Sequence, residues 1–171
     1  MKKLLIVFAV IFCCCLGLSA FDTSALQISI WAPRTQLVPE EIDISGLKLN
    51  LPYGGNENVA GLDLGLVSIN GNCSALQVNL FNRSSESFAG LQVGLVNVSG
   101  ASSGLSISLF NSVESISKGL EIGLFNTALE HRGLQIGLLN YCEFLTGFQV
   151  GLINIVTQST LPFFPIVNFC F

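Results

Sequence analysis

From Gly46 onward, large aliphatic residues and polar residues alternate in a short phrase that recurs along the chain. In GLQVGLVN, Gly90 to Asn97, an extended backbone points Leu91, Val93 and Leu95 to one side and Gly90, Gln92 and Gly94 to the other. The phrase returns as GLDLGLVS at Gly61, ALQVNLFN at Ala75, GLSISLFN at Gly104, GLEIGLFN at Gly119, GLQIGLLN at Gly133 and GFQVGLIN at Gly147, with a looser GLKLNLPY at Gly46. A period of two excludes a helix and predicts strands with one aliphatic face and one polar, glycine-rich face. The polar column reads Lys48, Asp63, Gln77, Gln92, Ser106, Glu121, Gln135 and Gln149. Upstream, Ala25 to Ile30 alternates in the same way and reads as a worn copy.

Copies open at positions 46, 61, 75, 90, 104, 119, 133 and 147, so that a longer step and a step shorter by one alternate up to the last copy. Gly65, Gly94, Gly123 and Gly151 hold the fifth position in the copies from 61, 90, 119 and 147, whereas Asn79 and Ser108 hold it in two intervening ones. This alternation reads as a larger unit of two copies, two strands joined by two different connectors. Asn82, Asn97, Asn111, Asn126, Asn140 and Asn154 end six copies. Asparagine suits turns, so they are expected to be turn residues rather than a ligand-binding row.

Hiding the aliphatic face from water is the largest favourable term visible, and two all-β folds achieve it. The first reading is an antiparallel meander closing as a small β-barrel of about ten strands, beginning near 25, 46, 61, 75, 90, 104, 119, 133, 147 and 161. Its aliphatic residues would face lipid and its Gln/Gly face would line the lumen. Alternating connectors suit a hairpin meander, and the final strand would carry Phe163, Val167, Phe169 and Phe171 on one side. Against it stand the short strands, the single Trp and two Tyr available for aromatic girdles, and Pro162 and Pro165 in the last strand. The alternative is a parallel β-solenoid of 14–15-residue coils, with the aliphatic residues stacked inside and the Gln face wet. Asp63 and Glu121 would then be surface charges.

The first twenty residues read as a secretory leader: Lys2 and Lys3, an uncharged apolar run from Leu4 to Leu18, then Leu18-Ser19-Ala20 before Phe21. The run is short for a spanning helix, which needs about 20 apolar residues. Residues 21–171 are then a single β-repeat domain. Cys13, Cys14 and Cys15 follow no small residue, so they read as hydrophobes of the leader and not as lipidation sites. Cys73, Cys142 and Cys170 are widely spaced and suggest no metal site, although one pair is free to form after export. Without the leader, five basic residues face eleven acidic ones, which excludes the basic footprint of a nucleic-acid binder. Glu40, Glu41 and Asp43 lie between Pro39 and the first clear copy and read as a solvated acidic loop.

The phrases GLDLGLV, GLQVGLVN and GLQIGLLN resemble a group of bacterial surface repeat-containing proteins built from G-L-Q-x-G-L-x-N copies behind a signal peptide. Gly46 to Val67 resembles that group's opening phrase, and Leu161 to Phe171 its closing phrase. The resemblance implies a cell-surface or envelope location and no activity.

Catalytic chemistry finds no support in the residues. His131, the single histidine, lies in Leu129-Glu130-His131-Arg132 and reads as a solvated loop residue. No strand carries paired carboxylates, and no glycine-rich loop leads into a helix. Catalytic, cofactor-binding and metal residues are therefore expected to be none, and the chain is expected not to be an enzyme. The expected function is an exported envelope or outer-membrane surface protein, structural or pore-like, with outer-membrane lipid as its partner. The alternative is a secreted solenoid offering an adhesion or ligand-binding surface to an unidentified surface or host ligand.

Overall fold

The computed structural model describes residues 23–171, and all their regular elements are strands. The leader, with Cys13, Cys14 and Cys15, lies outside the described residues. Four long strands follow the repeat: β3 (Asp43–Val93), β4 (Val96–Ile107), β5 (Phe110–Ile122) and β6 (Phe125–Val156). They are preceded by β1 (Thr23–Trp31) and β2 (Thr35–Gln36) and followed by β7 (Phe163–Cys170).

The repeat strands pair in parallel, with like residues side by side. Gly90 lies beside Gly104, Gly104 beside Gly119 and Gly119 beside Gly133, so each copy is one coil. The fold is a parallel β-solenoid, and the antiparallel barrel is not formed. The chain bends at Gly94-Leu95, Ser108-Leu109 and Gly123-Leu124 and continues in the same sense instead of reversing. The alternation in copy length is also not an alternation of hairpins. It is a small irregularity taken up on the connector side, between Ser84 and Ser87, Ser99 and Ser102, and Val113 and Ile116. A parallel stack tolerates such a bulge without losing register elsewhere.

The glycine that opens a copy is a requirement of the stack. At Gly119 the backbone has φ +115°, a region that side chains avoid. A Cβ there would stand 2.2 Å from the carbonyl oxygen of Gly104 in the coil below. Gly104, Gly133 and Gly147 meet the same obstacle, which is why the residue recurs at this corner.

Both ends are closed by irregular pieces. Ala25 to Ile30 is a coil as expected: Gln27 pairs with Lys48 and Ile28 with Leu49. β2 then lies antiparallel on β1. Val38 is held beneath the loop by two bonds with the Gln27 amide, both 3.0 Å. At the other end β7 pairs antiparallel with β6, Val167 opposite Val150. Pro162 precedes β7, and Pro165 sits in an edge strand, where a missing donor is tolerated.

The faces are the reverse of the solenoid expectation. Lys48, Asp63, Gln77, Gln135 and Gln149 are each 0% exposed. The aliphatic residue at the sixth position is 39% exposed at Leu66, 48% at Leu95 and Leu138, and 66% at Leu152. The polar column is inside and the aliphatic columns are outside. The barrel reading had this orientation right and the connectivity wrong. The solenoid reading had the connectivity right and the orientation wrong. Among the described residues, two small apolar clusters lie within: Val38, Ile44, Val59, Cys73, Ala75 and Phe88 near the start, and Val113, Ala128, Cys142, Leu145 and Val156 near the end.

Candidate functional site

The interior is built from stacked amides. Asn82 donates to Asn97 (2.8 Å), Asn97 to Asn111 (3.1 Å), Asn111 to Asn126 (2.9 Å), Asn126 to Asn140 (2.8 Å) and Asn140 to Asn154 (2.8 Å). Each Nδ2 also reaches a backbone carbonyl at the facing bend, such as Ile122 from Asn111 at 3.1 Å and Ile136 from Asn126 at 3.0 Å. These asparagines are buried, so their expected role as turn residues is not what the structure assigns them. Glycine at the fifth position makes room for the column. A Cβ on Gly94 would lie 2.7 Å from the Asn82 amide nitrogen and 2.8 Å from the Asn97 oxygen.

A second column runs through the third position and ends twice on a carboxylate. Gln92 donates to Gln77 (2.7 Å) and Gln77 to Asp63 (3.0 Å). Further along, Gln149 donates to Gln135 (2.8 Å) and Gln135 to Glu121 (2.7 Å). Ser106 separates the two runs. The carboxylate is the logical terminus, because it accepts from a chain of amides and asks for no further acceptor.

Asp63 is the denser hub. It also accepts from Asn50 (2.6 Å), Ser68 (2.6 Å), Asn70 (3.1 Å) and Asn79 (3.5 Å). Lys48 donates from Nζ to the Asn70 oxygen. Burial lowers the Lys48 pKa, and the nearby Asp63 charge restores part of it.

Glu121 accepts from Ser117 (2.5 Å) and Gln135, and burial raises its pKa against the effect of both bonds. His131, expected in solvent, is fully enclosed with Nδ1 3.7 Å from Glu121 Oε2. Neither ring nitrogen has a hydrogen-bond partner. Burial lowers its pKa to about 4, with the neighbouring Leu134 backbone opposing the shift without reaching hydrogen-bond geometry. Burial likewise raises Cys73 and Cys142 to about 12, so neither thiol ionises near neutrality. All three cysteines of the described residues are free. Of the acidic loop, Glu41 is exposed while Glu40 and Asp43 are half-buried, with Asp43 accepting from Asn58 at 2.8 Å.

The titratable groups inside the coil are thus closed to solvent, with Lys48, Asp63 and Glu121 bonded to amide and hydroxyl side chains and His131 without a hydrogen-bond partner. Among the described residues, no group of three metal-ligating side chains converges. What faces outward is the feature no reading of the solenoid anticipated: a continuous aliphatic exterior. It includes the corner residues Leu109-Phe110 and Leu124-Phe125, whose rings stack at 4.9 Å. The sequence signal for it is the fifth-position glycine, which leaves space only on the side where the amides lie. Comparison with protein-family models, with curated proteins and with solved structures finds no match, so the geometry of this chain alone carries the functional argument.

Proposed function

We propose that the chain is an exported, non-enzymatic surface protein of the cell envelope, held against outer-membrane lipid by its aliphatic exterior. One observation carries this reading: the columns that a water-soluble solenoid would enclose are outside, and the hydrogen-bonding columns are inside. In hydrocarbon this arrangement is favourable, because the strands pair with one another, the column amides bond in series inside the coil, and the outer surface matches lipid. In water it leaves contiguous apolar surface of the kind that marks an interaction site. The leader-like first twenty residues and the resemblance to surface repeat-containing proteins support export. A pore has no support in this geometry, since the interior columns are filled by side chains bonded to one another. The second reading, a secreted solenoid serving as an adhesion or ligand-binding surface, draws on the same exterior as a protein-docking face.

Density-gradient flotation tests the proposal. The chain should float with vesicles of phosphatidylethanolamine and phosphatidylglycerol and need detergent to stay dispersed. A clear, monodisperse monomer in plain buffer that stays at the bottom of the gradient would refute it and favour the secreted reading.

A further inference from the structure

The outer surface of the solenoid has two chemically distinct sides. Positions in each copy are counted from its opening residue. From the copy at Gly46 onward, the outward residues at positions one to seven include no ionisable group. Lys48, Asp63 and Glu121, the three charged residues in that span, point inward. The outward charges of the copies lie at positions nine to fifteen: Glu57, Arg83, Glu86, Glu114, Lys118, Glu130, Arg132 and Glu143. The apolar side is also convex. It rounds the bend, so that Leu109 and Phe110, Leu124 and Phe125, and Leu152 and Ile153 are exposed as consecutive pairs. A flat second copy of the chain would cover one flank of such a ridge and leave the other wet, whereas lipid conforms to both.

Length leaves two ways to place the ridge in a bilayer. Seven copies, from Gly61 to Gly147, rise by about 29 Å at ~4.8 Å per coil, close to the ~30 Å of a hydrocarbon core. Upright, the solenoid is long enough to span. Its charged side forbids this, because Glu114 and Lys118, which form no ion pair, lie in the middle copy and would face lipid at depth, where charges are strongly disfavoured. Among the described residues only Glu130 and Arg132 form a surface ion pair, at 2.5 Å.

We infer that the solenoid lies flat on the membrane, its axis in the bilayer plane, with the bend ridge sunk among the acyl chains and the charged connector side in water. This is the sheet counterpart of an interfacial amphipathic helix. It rests on the lipid-facing reading above and adds the orientation that reading leaves open.

Lys118 provides the test, since Lys48 is enclosed and Lys118 is the exposed lysine of the described residues, near mid-length. The full exported chain is bound to preformed phosphatidylethanolamine and phosphatidylglycerol vesicles, treated with a membrane-impermeant amine reagent, and read by mass spectrometry. Lying flat, Lys118 reacts within about twofold of its rate in detergent micelles. Protection of more than tenfold in chain that floats means an upright or charge-paired arrangement, and overturns this inference while leaving the lipid-facing reading intact. Failure to float, or a lipid-free dimer, overturns both. A second pair of variants checks the ridge. Leu124→Lys should lower the vesicle-bound fraction at least tenfold, and Ser103→Lys, on the charged side, should leave it unchanged; equal effects would also overturn the orientation.

Discussion

A histidine between Glu130 and Arg132 has every local mark of a solvated residue, yet His131 is wholly enclosed. Its neighbours along the chain are exposed or half-exposed because the strand alternates, and nothing in so short a stretch says which parity faces in. The consequence is measurable through pH. The unfolded imidazole takes its proton near pH 6.5, the folded one only at about 4. Between these values the unfolded chain holds one more proton, so acidification favours unfolding. Glu121 works in the opposite sense. Its raised folded pKa makes its contribution complete below about pH 4.3 and lost as pH rises through the folded value. The two slopes overlap and mask each other. In Glu121→Gln the acid's slope is gone, and the melting temperature should fall as pH drops from 7 to 4.5. Adding His131→Leu should abolish that fall. An identical decline in both variants would assign it to other groups.

At the level of the repeated element, the sequence showed six asparagines at one position and left their partners unknown. Turn chemistry was the ordinary expectation for an asparagine after an alternating run. The stack changes the answer, because parallel, in-register coils place each amide about one strand spacing from its copy, where identical side chains can bond in series. Register therefore had to be known before the column could be read, and the alternating copy length pointed toward hairpins instead. The column should act as a unit. Asn111→Ala removes two donated bonds and one accepted bond, leaving the Asn97 donor and the Asn126 acceptor without their mates in a dry interior. A loss of about 1–3 kcal/mol is expected, measured by denaturant unfolding in micelles. Ser112→Ala, next in sequence but half-buried and outside the column, should change stability by less than about 0.5 kcal/mol. Equal costs at the two positions would mean that the amide column contributes no special stability.

The whole molecule inverts the usual relation between polarity and depth, and this inverts the usual mutational response. The strands, their period and the coil length were all legible, since periodicity is a property of the chain itself. Which face lies inside was not, because a period of two treats both faces alike and the choice depends on how much side-chain volume fits inside a coil only one copy in circumference. Leu109, Leu124 and Leu138 are 43%, 40% and 48% exposed. Truncating an ordinary core leucine to alanine costs about 2–5 kcal/mol. Here Leu124→Ala should cost only about 1–2 kcal/mol, since 40% of its surface stays exposed when the coil forms and no closed cavity is left behind. The combined variant Leu109→Ser, Leu124→Ser and Leu138→Ser should keep its strand circular dichroism and lose most of its need for detergent. Gln135→Leu, hydrophobic and close in size, should do the opposite. It deprives Glu121 of a donor at 2.7 Å and Gln149 of its acceptor at 2.8 Å, and each orphaned buried group costs about 1–3 kcal/mol. If the three serines unfold the chain while Gln135→Leu is tolerated, the leucines are the core and the amides belong outside.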